Sequence, residues 1–165
     1  MGRPVNHDSY SDATIRTILS DVKVIAMVGA SANAVRPSYF VLKYLLDRGY
    51  RVHPVNPGLA GQEILGCRVY ASLADIPEPV DMVDIFRNAE AAAAIVEEAI
   101  ALPARPKVIW MQLGVRNDAA AARAEDAGMT VVMNRCPKIE HSRLSGTIEW
   151  HGIASGVISS RKRAL

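Results

Sequence analysis

VKVIAMVGASANAVRPS, residues 22–38, is the stretch that decides how the rest of the chain folds. Its first half is a continuous apolar run ending at Gly29. Such a run fits a strand buried on both faces, as in a parallel sheet. Gly29 lets the backbone turn sharply and approach a ligand with no Cβ in the way. The small residues Ala30, Ser31 and Ala32 follow, and Pro37 suits the first turn of a helix, where its missing N–H is harmless. Free N–H groups at a helix start, helped by the helix dipole, favour phosphate. Arg36 adds a bidentate cation. The stretch therefore reads as a strand, a phosphate-binding loop over residues 29–36, and a helix.

Working outward, apolar runs and helical patterns alternate. Ile15, Ile18 and Leu19 share one helical face in residues 12–20, ahead of the first strand. Residues 38–48 are a helix closed by Gly49, and RVHPVNPG is a second strand stopped by Pro57 and Gly58. Residues 59–80 are irregular, with one short turn around SLADI. Strands follow over 81–86, 107–114 and 129–134. Between them lie helices begun by Asn88 and by Asn117, the second closed by Gly128. The expected fold is α/β: a Rossmann-like, doubly wound, parallel five-stranded sheet with helices on both faces. The expected organisation is a single domain across 1–165, with its core at about 15–145, a short N-terminal helix and a basic C-terminal tail.

Composition sets limits. Half of the 165 residues are hydrophobic and 22% are charged, which is ordinary globular composition. The formal charge of +2 is too small to argue for nucleic acid, and Arg161, Lys162 and Arg163 read as a solvated tail. No apolar run reaches the roughly 20 residues needed to cross a bilayer. Two cysteines, Cys67 and Cys136, are too few for a disulfide framework. The default location is cytoplasmic, with reduced thiols.

Ligands of such sheets bind beyond the carboxyl ends of the strands, near the reversal of strand order. That gathers residues 29–36, Asn56–Gly58, Phe86 with Arg87, Gln112–Gly114 and residues 134–138. The loop departs from the dinucleotide fingerprint: Gly29, Ser31 and Ala34 stand where three glycines belong. After the second strand Asn56 and Pro57 replace the acid that usually holds a NAD ribose. The loop therefore points away from NAD.

Five segments together, VGAS with Asn33, Arg36 and Ser38, then HPVNP, VDMVDIFR, VIWMQLGV and NRCPKIEH, resemble the small stand-alone CoA-binding proteins. Their fold is similar to the N-terminal CoA-binding domain of the succinyl-CoA synthetase α subunit and of nucleoside-diphosphate-forming acyl-CoA synthetases. The resemblance implies coenzyme A or an acyl-CoA as the small-molecule ligand. It implies that Gly29, Ala30, Ser31, Asn33, Arg36, Pro37 and Ser38 lie along the phosphates. Asn56 and Pro57 lie by the nucleotide and Phe86 and Arg87 along its path. Gln112 and Gly114, with Asn134, Cys136 and Pro137, lie near the pantetheine arm. The larger synthetases carry a phosphorylated histidine in a second domain, a feature this sequence does not display.

No residue set makes a convincing catalyst. His7 falls in a frayed start, His151 in the tail, His53 packs within a strand, and His141 reads as a surface residue. Cys136 is the one candidate nucleophile, but no histidine adjoins it in sequence. No ligand-spaced cluster suggests a metal. Asp81 starts its strand, Asp84 holds a neighbouring loop through N–H groups, and Trp110 and Met111 belong to the core. The expectation is a non-catalytic binding module. The alternatives are an NAD(P)-binding oxidoreductase and a CoA-binding subunit of an acyl-CoA ligase acting with a separate chain.

Overall fold

A computed structural model describes residues 5–146. The basic tail and His151 lie outside the described residues. The chain runs α1 (Asp12–Asp21), β1 (Val24–Val28), α2 (Pro37–Asp47), β2 (Arg51–Val55), β3 (Glu63–Ile64), β4 (Cys67–Arg68) and β5 (Met82–Ile85). It continues α3 (Ala89–Ile100), β6 (Val108–Met111), α4 (Asp118–Asp126), β7 (Thr130–Val132) and α5 (Pro137–Leu144). Five strands form one sheet in the order β2-β1-β5-β6-β7, and every neighbouring pair is parallel. The fold is the expected Rossmann-like α/β arrangement. Its strand order reverses between β1 and β5.

Residue alternation along each strand builds two cores. Val24, Ala26 and Val28 of β1 face α3 and α4, while Ile25 and Met27 face α1, α2 and α5. The first face is lined by alanines, Ala92 and Ala99 from α3 and Ala120, Ala121 and Ala124 from α4. Their small side chains let both helices lie close to the sheet. The second face is bulkier, with Leu42 and Leu45 of α2 and Trp110 of β6 in one cluster. Trp110 is fully buried, and its Nε1 donates to the Arg135 carbonyl at 2.9 Å.

Asn88 and Asn117 cap their helices as the sequence indicates, and Ser11 caps α1 as well, each accepting from an amide in the following first turn. Each such cap contributes about 1 kcal/mol. The strands are shorter than the apolar runs: β6 is Val108–Met111 within residues 107–114, and β7 is Thr130–Val132 within 129–134. Residues 59–80 are more ordered than expected. They hold an antiparallel hairpin, β3 with β4, turned through Leu65 (φ 50°) and Gly66 (φ 80°).

Several polar residues differ from their sequence reading. Asp81, not Asp84, does the holding: its Oδ2 accepts from the amides of Lys23 and Val24, both at 2.9 Å. Asp84 is fully buried in β5, in register between Met27 and Trp110, and neither carboxyl oxygen has a hydrogen-bond partner among the described residues. His141 is fully buried rather than surface, hydrogen-bonded through Nδ1 to the Tyr44 hydroxyl at 2.9 Å. His7 is 8% exposed rather than frayed, tied to Tyr10 and to Glu125. His53 is half-buried and paired with Glu78 at 2.6 Å.

Burial holds the Asp84 carboxyl well above the usual carboxylate range. The folded state therefore binds a proton that the unfolded chain loses above about pH 4. Stability from this group is complete below that pH and is lost as pH rises through the raised folded value. Asp84→Asn should remove this component. Melting temperature followed from about pH 5 to pH 8 should fall less steeply in the variant than in the parent. Parallel curves would show that Asp84 does not titrate as burial dictates.

Candidate functional site

A cleft of about 860 Å³ opens at the carboxyl ends of the strands, across the reversal point. Ligand pockets usually measure about 300–1,000 Å³. Its walls come from the loops after β1, β2, β5 and β6, and from the first turns of α2 and α5.

The ladder continues past the strand tips. Gly29 N donates to the Val55 carbonyl at 3.0 Å, Phe86 N to Val28 at 2.8 Å and Gln112 N to Ile85 at 3.1 Å. These bonds hold the loop starts side by side. Gly29 has φ +90°, and a Cβ placed there would sit 2.6 Å from the Phe86 carbonyl oxygen and 2.9 Å from Arg87 Cδ. Only glycine fits, so the β1 and β5 loops meet backbone to backbone at the reversal point.

The β1–α2 loop is largely satisfied from within. Ser31 N donates to the buried Ser38 Oγ, Asn33 N to Ser31 Oγ, Val35 N to Asn33 Oδ1 and Arg36 N to the Asn33 carbonyl. Asn56 pins the loop to β2: its Nδ2 donates to the Ala30 carbonyl at 2.8 Å, and its Oδ1 accepts from Gly58 N at 2.9 Å. The expected row of free amides is thus reduced. Among the described residues, only Ala32, Ala34 and Ser38 keep uncommitted amides in this loop and helix start.

Gly29, Ala30, Ser31, Arg36, Pro37, Ser38, Asn56, Phe86, Arg87, Gln112 and Cys136 line the cleft together, although they come from five distant segments. Asn33, Pro57, Gly114, Asn134 and Pro137 do not line it. Asn33 orders its own loop. Pro57 and Pro137 begin a short turn and α5. Asn134, at φ 57°, clamps the β6–α4 loop by accepting from Gly114 N at 2.7 Å. Leu113 and Lys138 fall within the strand-end segments gathered from the sequence, whereas Phe40, Val41, Asn88, Val115 and Ile139 were missed as cleft residues. A helical-wheel reading of α2 and α5 from their N-termini would have found Phe40 and Ile139.

The cleft carries one sign of charge. Arg36, Arg87 and Lys138 line it and no carboxylate does. Among the described residues none of the three pairs with an acid, whereas Arg51, Arg116, Arg123 and Arg143 all do. The Gln112 side chain is buried in the wall, its oxygen without a partner among the described residues. Cys136 is buried at the start of α5. The lining holds no histidine and no acid to activate it. Among the described residues no group of three His, Cys, Asp or Glu side chains is placed to hold a metal, and no helix is long and apolar enough to cross a membrane.

A family model described as a CoA binding domain matches residues 23–142, the span that builds this cleft. The chain belongs to the CoA binding domain family. Within that family it is 38% identical over 132 residues to the uncharacterized protein YneT of Bacillus subtilis, covering 80% of this chain and 95% of that one. A hypothetical protein from Pyrococcus horikoshii superposes with a TM-score of 0.79 at 41% identity, covering 88% of this chain and all of that one (100%). The α subunit of acetate–CoA ligase (ADP-forming) I from Pyrococcus furiosus is 36% identical over 84 residues, 48% of this chain. The match takes in 18% of that subunit, so the relation is to one part of a larger ligase chain.

Gly29→Ala should lower the melting temperature more than Gly114→Ala, which has φ +82° but open space around its Cβ. Gly114→Ala carries only the left-handed backbone cost, roughly 1–2 kcal/mol. Gly29→Ala adds displacement of the Phe86 backbone. Equal losses in thermal denaturation would show that the close approach carries no weight.

Proposed function

We propose that the protein binds coenzyme A or an acyl-CoA as a single-domain, non-catalytic module. The observation that carries the reading is the cleft's charge: three unpaired cations, no acid, and a helix start, gathered at the strand-order reversal. A polyanion is the ligand such a site suits. Coenzyme A offers a diphosphate and a 3′-phosphate at one end and a chain with two amides at the other.

The residues fit the group. Gly29 lets Phe86 and Arg87 close against the β1–α2 loop, so that the Ser38 amide, Arg36 and Arg87 share one wall for the diphosphate, with the uncommitted amides of Ala32 and Ala34 in the adjoining loop. Gln112 supplies a carboxamide whose oxygen lacks a partner, suited to an amide of the arm. Asn56 acts indirectly, since both ends of its carboxamide already hold the loop. Burial in the cleft then needs no reorganisation of the loop, which keeps the ordering cost low. Bound this way, the thiol end reaches toward Cys136. With no base or acid in the lining, the site holds its ligand and supplies no proton transfer.

A second reading follows from the similarity to an ADP-forming ligase subunit. This chain would then present coenzyme A to a separate protein that carries the chemistry. Recovery of an ATP-binding protein with the native chain would support that reading. A chain recovered alone would favour the simple module.

Calorimetric titration should show coenzyme A binding, weaker binding of dephospho-CoA, and weakening of both as salt screens the cations. Arg36→Gln and Arg87→Gln should each lower the affinity about tenfold or more, because a hydrogen bond to a charged group contributes roughly 1.5–3 kcal/mol. No heat at millimolar coenzyme A, or tighter binding of NADH, would overturn the reading.

A further inference from the structure

Beside its cations, the cleft carries exposed apolar side chains. Six large hydrophobic side chains are exposed among the described residues: Val5, Val35, Phe40, Leu65, Leu113 and Ile139. Single exposed apolar residues are normal on any protein surface. Here they are not scattered. Phe40 (50% exposed), Leu113 (53%) and Ile139 (54%) all line the same cleft, and Val35 (74%) stands in its β1–α2 loop. They come from α2, the β6–α4 loop and α5, so no single amphipathic pattern explains them. Lys138 lies between the rings of Phe40 and Tyr44, its Nζ 5.9 Å from each centroid. Its aliphatic stem therefore extends the apolar surface while its charge stays at the edge.

We infer that this apolar surface is an acyl subsite, and that the ligand is a coenzyme A thioester carrying a hydrophobic acyl chain of several carbons. The inference rests on the coenzyme A reading and deepens it. With the diphosphate on the β1–α2 loop and the arm running past Gln112, the sulfur comes to Cys136 at the start of α5. The next surfaces outward are Ile139, Leu113 and Phe40. A free thiol would leave them in water. An acetyl group is too short to cover them. A chain of four or more carbons lies across them and removes apolar surface on both partners from water, the driving force for binding it. A dicarboxylic acyl group would bring a carboxylate onto the same apolar surface, with only Lys138 to meet it.

The test is calorimetric titration of the full chain with coenzyme A and with its acetyl, butyryl, hexanoyl, octanoyl and succinyl thioesters. Affinity should rise from coenzyme A through octanoyl-CoA by two- to fourfold per methylene, fourfold being the value for a fully buried one. Butyryl-CoA should bind more tightly than succinyl-CoA, which has the same number of acyl carbons. In the Phe40→Ser/Ile139→Ser double variant the ratio of octanoyl-CoA to coenzyme A affinity should collapse toward one. Circular dichroism would establish that the variant is folded, and Leu113→Ser gives an independent check on a loop residue. A flat series with coenzyme A still bound overturns the acyl subsite and leaves the coenzyme A reading intact. So does tighter binding of succinyl-CoA, or self-association of the chain abolished by the double variant. Failure of every member to bind overturns both.

Discussion

The close approach of Gly29 to the Phe86 carbonyl is the contact on which the site depends. It places the loop after β1 against the loop after β5 at the one place where the sheet's winding reverses. Crossovers leave that place on opposite faces, so the crevice there is not filled by a helix. A side chain at position 29 would wedge the two loops apart. Glycine lets them touch, and the ladder bonds beyond the strand tips then fix Arg87 and Gln112 relative to Arg36.

Order in the cleft loops comes from polar side chains bonded within them. Asn56 and Ser38 spend their hydrogen-bonding capacity on the β1–α2 loop, and Asn134 spends its own on the β6–α4 loop. The rigid frame explains how three like charges can converge. No acid lines the cleft among them to weaken the field. The cost is charge repulsion in the unliganded protein. That repulsion is tolerated because all three side chains reach solvent and are screened there.

Much of this was legible in the sequence because its signals are local. Alternating apolar runs give the parallel sheet, Asn88 and Asn117 announce their helices, and strand ends in an α/β fold converge wherever they lie in the chain. What stayed hidden depends on distant partners. His7 and His141 are buried by Glu125 and Tyr44, more than ninety residues away in each case. Asp81 and Asp84 share a strand edge, and spacing alone does not tell which of them meets the Lys23 and Val24 amides. A two-residue hairpin turned through Leu65 gives no Asn-Gly signal. Phe40 and Ile139 were missed because they project from helix starts rather than strand ends. The five lining segments were found, but within them Asn33, Gly114 and Asn134 serve the loops instead of the cleft wall.

The buried acids and histidines stand apart from the cleft lining. Asp84, a fully buried acid, lies in the core with no hydrogen-bond partner among the described residues, and the buried His141 is engaged by Tyr44. Cys136 has no base or acid beside it in the lining. Amide chemical-shift mapping of the 15N-labelled chain during addition of coenzyme A addresses the central claim most directly. The account predicts the largest shifts at Ala32, Ala34, Ser38, Arg87 and Gln112, with little change at Leu102 and Ala104 on the opposite end of the sheet. Shifts concentrated away from the β1–α2 loop, or none at saturation, would contradict it.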